Sequence, residues 1–167
     1  STVSGSTADN TGGGIFIGID ANNNTIGGDD DDDGVLDGVV QARNVISGNN
    51  HTGVNIFSGP NNVVQGNYIG TTRDGSAALG NRFNGVKFQP LAGSGPASGN
   101  IVGGTAPGAG NVISGNGLNG VLIFTASNNV VQGNLIGTDA SARLALGNPF
   151  GIFVEENSTN NTIGGAA

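Results

Sequence analysis

Cysteine, methionine and tryptophan are absent from this chain of 167 residues, and tyrosine occurs once. Without cysteine no disulfide can brace the fold, and cysteine usage does not identify the redox compartment. No apolar run is long enough to span a bilayer, and no charged and then apolar leader stands at the start. Both observations fit a mature secreted protein, so we expect an extracellular or cell-surface location and no membrane span.

Basic residues are also scarce, since 5 Lys and Arg stand against 12 Asp and Glu, for a net charge of −7. The five are scattered along the chain rather than clustered. Binding to nucleic acid or to an anionic membrane needs a concentrated positive surface, so neither is expected as a partner. The acidity is better explained as an aid to solubility.

Helix-forming runs of Ala, Leu, Glu and Lys are missing, so no window predicts an amphipathic helix. The chain instead contains 33 Gly. Val, Ile and Phe stand in short runs bounded by Gly and Asn, which is typical of short strands separated by tight bends with positive φ. Because the Val and Ile recur periodically, a flexible linker is not favoured.

The chain repeats itself. Residues 44–81 and 111–148 align without a gap at an offset of 67 residues, and 24 of the 38 aligned positions are identical. A shorter repeat runs along the whole chain: Gly followed by alternating apolar residues recurs at Gly14, Gly53, Gly85, Gly120 and Gly151, and two further short apolar strings follow each of the first four of these sites. The pattern predicts a stack of near-equivalent units with three short strands per turn of chain.

The repeated motifs resemble those of the right-handed parallel β-helix repeat family of secreted and surface proteins from bacteria and archaea. They are NTIGG at Asn24 and Asn161, ARNVISGN at Ala42, and NNVVQGN followed by IGT at Asn61 and Asn128. The resemblance covers most of the chain and implies an all-β fold, a right-handed parallel β-helix of about five coils. It does not specify a function, because such repeats occur in enzymes, adhesins and passive fibres.

Asparagine recurs at equivalent turn positions of these units. Two explanations are open: the side chains stack as a ladder of hydrogen-bonded amides, or each Asn merely tolerates a left-handed turn. The positions concerned are Asn24, Asn62, Asn100, Asn129 and Asn161.

An acidic insertion interrupts the repeat. Fifteen residues separate Gly28 from Asn44, against six between Gly104 and Asn111, a surplus of nine near residues 29–38. Its D-x-D-x-D-G-x-x-D spacing is that of a calcium loop, although Val40 replaces the glutamate that would complete an EF-hand. We therefore expect Ca²⁺ there, with a solvated acidic loop as the alternative. The predicted ligands are Asp29, Asp31, Asp33, Asp37 and the carbonyl of Val35.

The sequence gives little support for a set of catalytic side chains. Asp74 and Asp139 follow the same motif in the two halves and are not expected to share a coil, whereas Glu155 and Glu156 are neighbours that should face opposite ways on a strand. His51, the only histidine, has no counterpart in the second half. The sequence therefore does not favour an enzyme.

The two ends of the chain complement each other. The C-terminal NTIGGAA stops where the internal copy continues, and the N-terminal STVSGS resembles that continuation. Either the sequence is a fragment of a longer array, or it is a subunit whose coil is completed by the next copy, since two copies stacked tail to head would read as one repeat. We expect the second, a homopolymer. The residues expected to form the joint are Thr2, Val3, Ser4, Gly5, Ile163, Gly164 and Gly165.

The function expected from these features is that of a single β-helix domain over residues 1–167 that serves as an extracellular structural subunit and assembles into a filament. The alternative is a β-helix that binds or degrades carbohydrate, with an extracellular glycan as its partner. A shallow groove lined by aromatic residues and paired acids would favour that alternative. Most Phe residues, however, fall in predicted strands, where packing in the core is expected.

Overall fold

The computed structural model describes residues 10–31 and 35–165. This part of the chain contains fourteen short strands and no helix, so it has no helix that could cross a membrane. The strands are β1 (Ile15–Ile17), β2 (Thr25–Gly27), β3 (Val45–Ile46), β4 (Val54–Phe57), β5 (Val63–Gln65), β6 (Tyr68–Ile69), β7 (Val86–Gln89), β8 (Ile101–Gly103), β9 (Val112–Ile113), β10 (Asn119–Phe124), β11 (Val130–Gln132), β12 (Leu135–Ile136), β13 (Phe150–Glu155) and β14 (Thr162–Ile163).

The strands form three parallel sheets. Sheet A has the order β1-β4-β7-β10-β13, sheet B the order β2-β5-β8-β11-β14, and sheet C the order β3-β6-β9-β12. Consecutive strands enter sheets A, B and C in turn, so three strands make one coil and each coil pairs with the next. The predicted all-β, parallel β-helix architecture of about five coils is confirmed at this level.

The core consists of aligned columns of apolar side chains, because alternate residues of each short strand face the interior. In sheet A, Val54 pairs with Val86 and Ile56 with Phe88, and all four are fully buried. Sheets B and C contribute matching columns, which are Ile26, Val64, Val102 and Val131 in the first and Ile46, Ile69 and Ile113 in the second.

The long connections explain why the sequence repeats every two coils. Coil 3 has a long connection between sheets A and B, over residues 90–100, and coils 1 and 3 both have one between sheets B and C, over residues 28–44 and 104–111. Coils 2 and 4 turn that corner with two residues and carry their long connections between sheets C and A, over residues 70–85 and 137–149. Coils of the same type therefore alternate, and the 67-residue offset spans one pair.

Candidate functional site

Amide ladders occupy the corners of the coils. At the entry to sheet B, Asn24 Nδ2 donates to Asn62 Oδ1 at 2.9 Å, and the contact recurs along the stack up to Asn129 and Asn161 at 3.2 Å. The backbone N–H of each donating Asn also donates to the Oδ1 that accepts from its side chain. The predicted ladder is thus confirmed, and its interior members Asn62, Asn100 and Asn129 are fully buried.

The left-handed turn, which was the alternative explanation, is also present, but at the residue before each ladder asparagine. In four of the five corners the preceding residue is a second Asn with φ between 54° and 60°, and in the remaining corner it is Gly99 with φ of 69°. The first residue of each pair therefore makes the left-handed turn, while the second forms the ladder.

Two further ladders were missed by the sequence reasoning. One precedes sheet C and links Asn44, Asn67, Asn111 and Asn134. The other precedes sheet A and links Asn10, Asn49, Asn81, Asn116 and Asn148. Their signal was present in the sequence, because both asparagines of the repeated NVISGN motif belong to them.

All three ladders point the same way. In every link the coil nearer the N-terminus donates and the next coil accepts. Among the described residues, no donor reaches Oδ1 of Asn24, and the backbone N–H of Asn161 has no acceptor. Within the described part of the chain, the sheet B ladder thus ends in an amide acceptor at Asn24 and a backbone donor at Asn161.

The last coil also exposes apolar side chains that are buried elsewhere. Ile163 is 51% exposed, whereas its partner Val131 on the preceding strand of sheet B is 2% exposed. Val154 is 40% exposed, and its partner Ile123 is fully buried. Of the residues predicted for the joint, Ile163, Gly164 and Gly165 lie on this uncovered end; Thr2, Val3, Ser4 and Gly5 lie outside the described residues.

The acidic insertion is attached to the body of the fold at two points. The Asp30 N–H donates to the Pro107 carbonyl at 3.0 Å, and Val40 is buried. Both contact Gly108 of coil 3, where an added Cβ would lie 2.7 Å from Val40 and 2.9 Å from the Asp30 nitrogen. The insertion thus reaches past the tight corner of coil 2 to the long connection of coil 3.

The predicted calcium ligands lie on this insertion. Asp29 Oδ1 accepts from the Asp31 N–H at 3.2 Å, and Asp37 Oδ1 accepts from the Val39 N–H at 2.9 Å. Val35 is exposed, and Asp33 lies outside the described residues. In the described ranges, no three acidic or histidine side chains form a group that could hold a metal. The calcium site, which requires Asp33, stays a prediction.

Asp74 and Asp139 lie in the long connections of coils 2 and 4 and help to close their own loops. The hydroxyl of Thr72 donates to Asp74 at 2.6 Å, and the hydroxyl of Ser141 donates to Asp139 at 2.6 Å. In the repeat alignment the hydroxyl and the carboxylate have exchanged positions. The two loops touch, because the Ala140 N–H donates to the Gly75 carbonyl at 3.0 Å.

Hydrogen bonds stabilise both of these carboxylates in their ionised form. Those from Thr72 and Ser76 lower the pKa of Asp74 to about 2. The pKa of Asp139 is lowered by the backbone N–H of Leu144 and by the hydroxyl of Ser141.

The aromatic residues are placed differently from the prediction. Of the seven Phe, only Phe88 is buried; the other six lie wholly or partly at the surface, and Phe16, Phe150 and Phe153 are the most exposed. The expectation that most Phe pack in the core is wrong. Ile and Val occupy the inward positions of these strands, so Phe57 and Phe124, which follow an inward Ile, and Phe16 and Phe153, which stand between two inward residues, fall on the outer face.

A shallow groove of about 440 Å³ lies on the outside of sheet A. It crosses coils 2 to 5 and contains His51 and Glu155 among its polar residues. Glu156 follows at the end of β13 in a left-handed conformation, with φ of 44°, and is exposed. Sequence reasoning did not identify this groove.

Comparisons with family models, with curated proteins and with solved structures found no match to the chain.

Proposed function

We propose that the protein is an extracellular structural subunit of the right-handed β-helix repeat type, whose copies stack head to tail into a filament. The observation that carries the proposal is the uncovered last coil. There, Ile163 and Val154 occupy positions whose counterparts one coil earlier are buried. Exposed apolar side chains and unpaired strand edges favour the addition of another strand layer.

The polarity of the amide ladders supports a head-to-tail joint. The last coil offers the backbone N–H of Asn161, and the first offers Oδ1 of Asn24. A head-to-head contact would set acceptor against acceptor, whereas a head-to-tail contact extends the sheet B ladder by one link. A heterologous contact that does not close on itself generates an open filament.

The strands that would meet in sheet B also match. Residues 24–28 and 161–165 have the same sequence, Asn-Thr-Ile-Gly-Gly, and contain β2 and β14. Ile163 of one copy would cover Ile26 of the next in the way that Val131 and Val102 cover each other within the chain. The joint then reuses side-chain packing that the interior of the stack already contains.

The proposal includes the predicted calcium site and an extracellular location. Ca²⁺ bound by the acidic insertion would hold together a loop of adjacent carboxylates on the side of the filament. Extracellular calcium modules have dissociation constants of about 10⁻⁴ to 10⁻³ M, so millimolar extracellular calcium would fill a site of that kind. A catalytic role is not part of the proposal.

The Ile163→Lys variant tests the assembly. A lysine in the joint would place an unpaired charge between two stacked coils, so the variant should stay monomeric while the unmodified protein forms filaments. Light scattering over a range of protein concentrations measures the difference. The matched control is Leu91→Lys, because Leu91 is 41% exposed on a connection of coil 3, away from both ends. A strictly monomeric unmodified protein, with and without calcium, would rule out the filament.

A further inference from the structure

The groove on sheet A has an apolar floor. Phe83, Leu118 and Leu122 line it, together with Phe150 and Phe153, whose rings stack with centroids 5.4 Å apart. Phe150 is 58% exposed and Phe153 is 38% exposed. Aromatic side chains that remain open to solvent beside other apolar groups mark a surface able to bind a partner.

Hydrogen-bond donors and acceptors both surround this apolar floor. Lys87 supplies an ammonium donor and Glu155 a carboxylate acceptor, and the electrostatic attraction of Glu155 opposes the burial that lowers the pKa of Lys87. Outward-facing Lys87 pairs with Leu122, which in turn pairs with Phe153, so these three groups follow one column across the sheet.

An unpaired amide adds a further acceptor at the groove. Asn119 lines it, is 7% exposed, and donates through Nδ2 to Asn84 Oδ1 at 2.7 Å. Asn84 in turn donates to the Thr52 hydroxyl, which makes a short polar column across three coils. In the next coil the paired residue is Phe150, so the column ends there, and Oδ1 of Asn119 has no donor among the described residues. A buried acceptor without a partner is unfavourable unless a further donor satisfies it.

This combination restricts the chemistry of the ligand. Flat apolar faces with both donors and acceptors at their margin suit a ring that has one C–H face and several hydroxyls. Phosphate-bearing ligands are disfavoured, because Lys87 is the only Lys or Arg that lines the groove and the chain carries a net charge of −7. Pockets of this kind are mostly apolar, with a few placed polar groups that set the orientation of the ligand.

We propose that the groove on the outer face of sheet A binds a neutral glycan, with pyranose rings on Phe150 and Phe153 and hydroxyls between Lys87, Glu155 and Asn119. Binding does not require filament assembly, although the groove ends at β13, beside which the proposed joint would place β1 of the next copy. The protein would then hold polysaccharide along its flank.

The test is titration with a panel of neutral oligosaccharides, namely cellohexaose, chitohexaose and mannohexaose, with oligogalacturonate as the charged comparison. Calorimetry gives affinities, and NMR signals of the Leu118 and Leu122 methyl groups report binding in the groove. At least one neutral oligosaccharide should bind and shift these signals. Phe153→Ala should weaken its binding about tenfold.

Two matched controls separate the groove from the rest of the surface. Phe57→Ala removes a partly exposed Phe from sheet A, outside the groove and away from the proposed joint, and should leave binding unchanged. Glu155→Gln should weaken binding, whereas Glu156→Gln, with the same change of charge, should not. The proposal is overturned if no neutral oligosaccharide shifts the methyl signals, or if Phe57→Ala weakens binding as much as Phe153→Ala does. It is also overturned if the signals shift with protein concentration alone, which would make the groove a lateral contact between copies.

Discussion

Buried asparagine is the residue on which the corners of this fold depend. At each interior ladder position, the backbone N–H and the side-chain amide of Asn donate to the next coil, and its Oδ1 accepts from the Asn of the preceding coil. Buried polar groups are stable only when paired in this way. The NN dipeptide revealed the sheet B ladder in the sequence, but Asn67 and Asn81 were not recognised as ladder residues because a single Asn beside Gly is also an ordinary turn signal.

Replacement of one ladder residue should therefore be costly. Asn62→Ala removes the donor to Asn100 Oδ1 and to two backbone carbonyls, and it leaves the Asn24 amide without an acceptor. We expect a loss of about 3 kcal/mol in the free energy of unfolding, measured with urea. The control Asn22→Ala, at an exposed position, should change it by less than about 0.5 kcal/mol. Equal effects of the two replacements would contradict the structural role of the ladder.

The two loop carboxylates predict an acid-sensitive stability. The folded state lowers the pKa of Asp74 from 3.8 to about 2 and also lowers that of Asp139. A lowered pKa stabilises the fold above the unfolded value, and this contribution is lost as pH falls through the folded value. The melting temperature should drop between about pH 4 and pH 2. In the double variant Asp74→Asn with Asp139→Asn the drop should be shallower; a parallel curve would show that these carboxylates do not contribute.

At the scale of the element, strands were predictable and loop placement was not. Alternating apolar residues after Gly identify β4, β7 and β10 directly, since the side-chain period of a strand is two. The sequence does not reveal that the connections from sheet B to sheet C and from sheet C to sheet A alternate in length from coil to coil, because this depends on which sheets each connection joins. The outward Phe positions follow from the same alternation once the inward columns are known.

The acidic insertion is the element whose behaviour a cation should change. Ca²⁺ should bind through Asp29, Asp31, Asp33, Asp37 and the Val35 carbonyl, and it should raise the melting temperature by mass action. Calorimetric titration of the chelated protein checks the binding. Asp29→Asn combined with Asp31→Asn should weaken it, while Asp20→Asn, outside the insertion, should not. If millimolar calcium produced neither a heat of binding nor a change in melting temperature, the predicted site would be wrong.

At the scale of the whole molecule, the stack has a direction. Donors face one end and acceptors the other, and the apolar surface of the last coil remains open. The repeat suggested this complementarity from the sequence alone, but the common polarity of three ladders depends on side-chain geometry, which the sequence does not specify. That polarity distinguishes head-to-tail stacking from a symmetric dimer.

Cysteine cross-linking tests head-to-tail stacking most directly, because the native chain contains no cysteine. Thr25 and Thr162 are exposed and occupy the same outward column of sheet B, in β2 and β14. In the proposed joint they lie on neighbouring strands about 4.8 Å apart, within disulfide range. After oxidation, Thr25→Cys combined with Thr162→Cys should give a ladder of covalent multimers on a non-reducing gel, and neither single variant should. Monomers alone from the double variant, or dimers from a single variant, would contradict head-to-tail assembly.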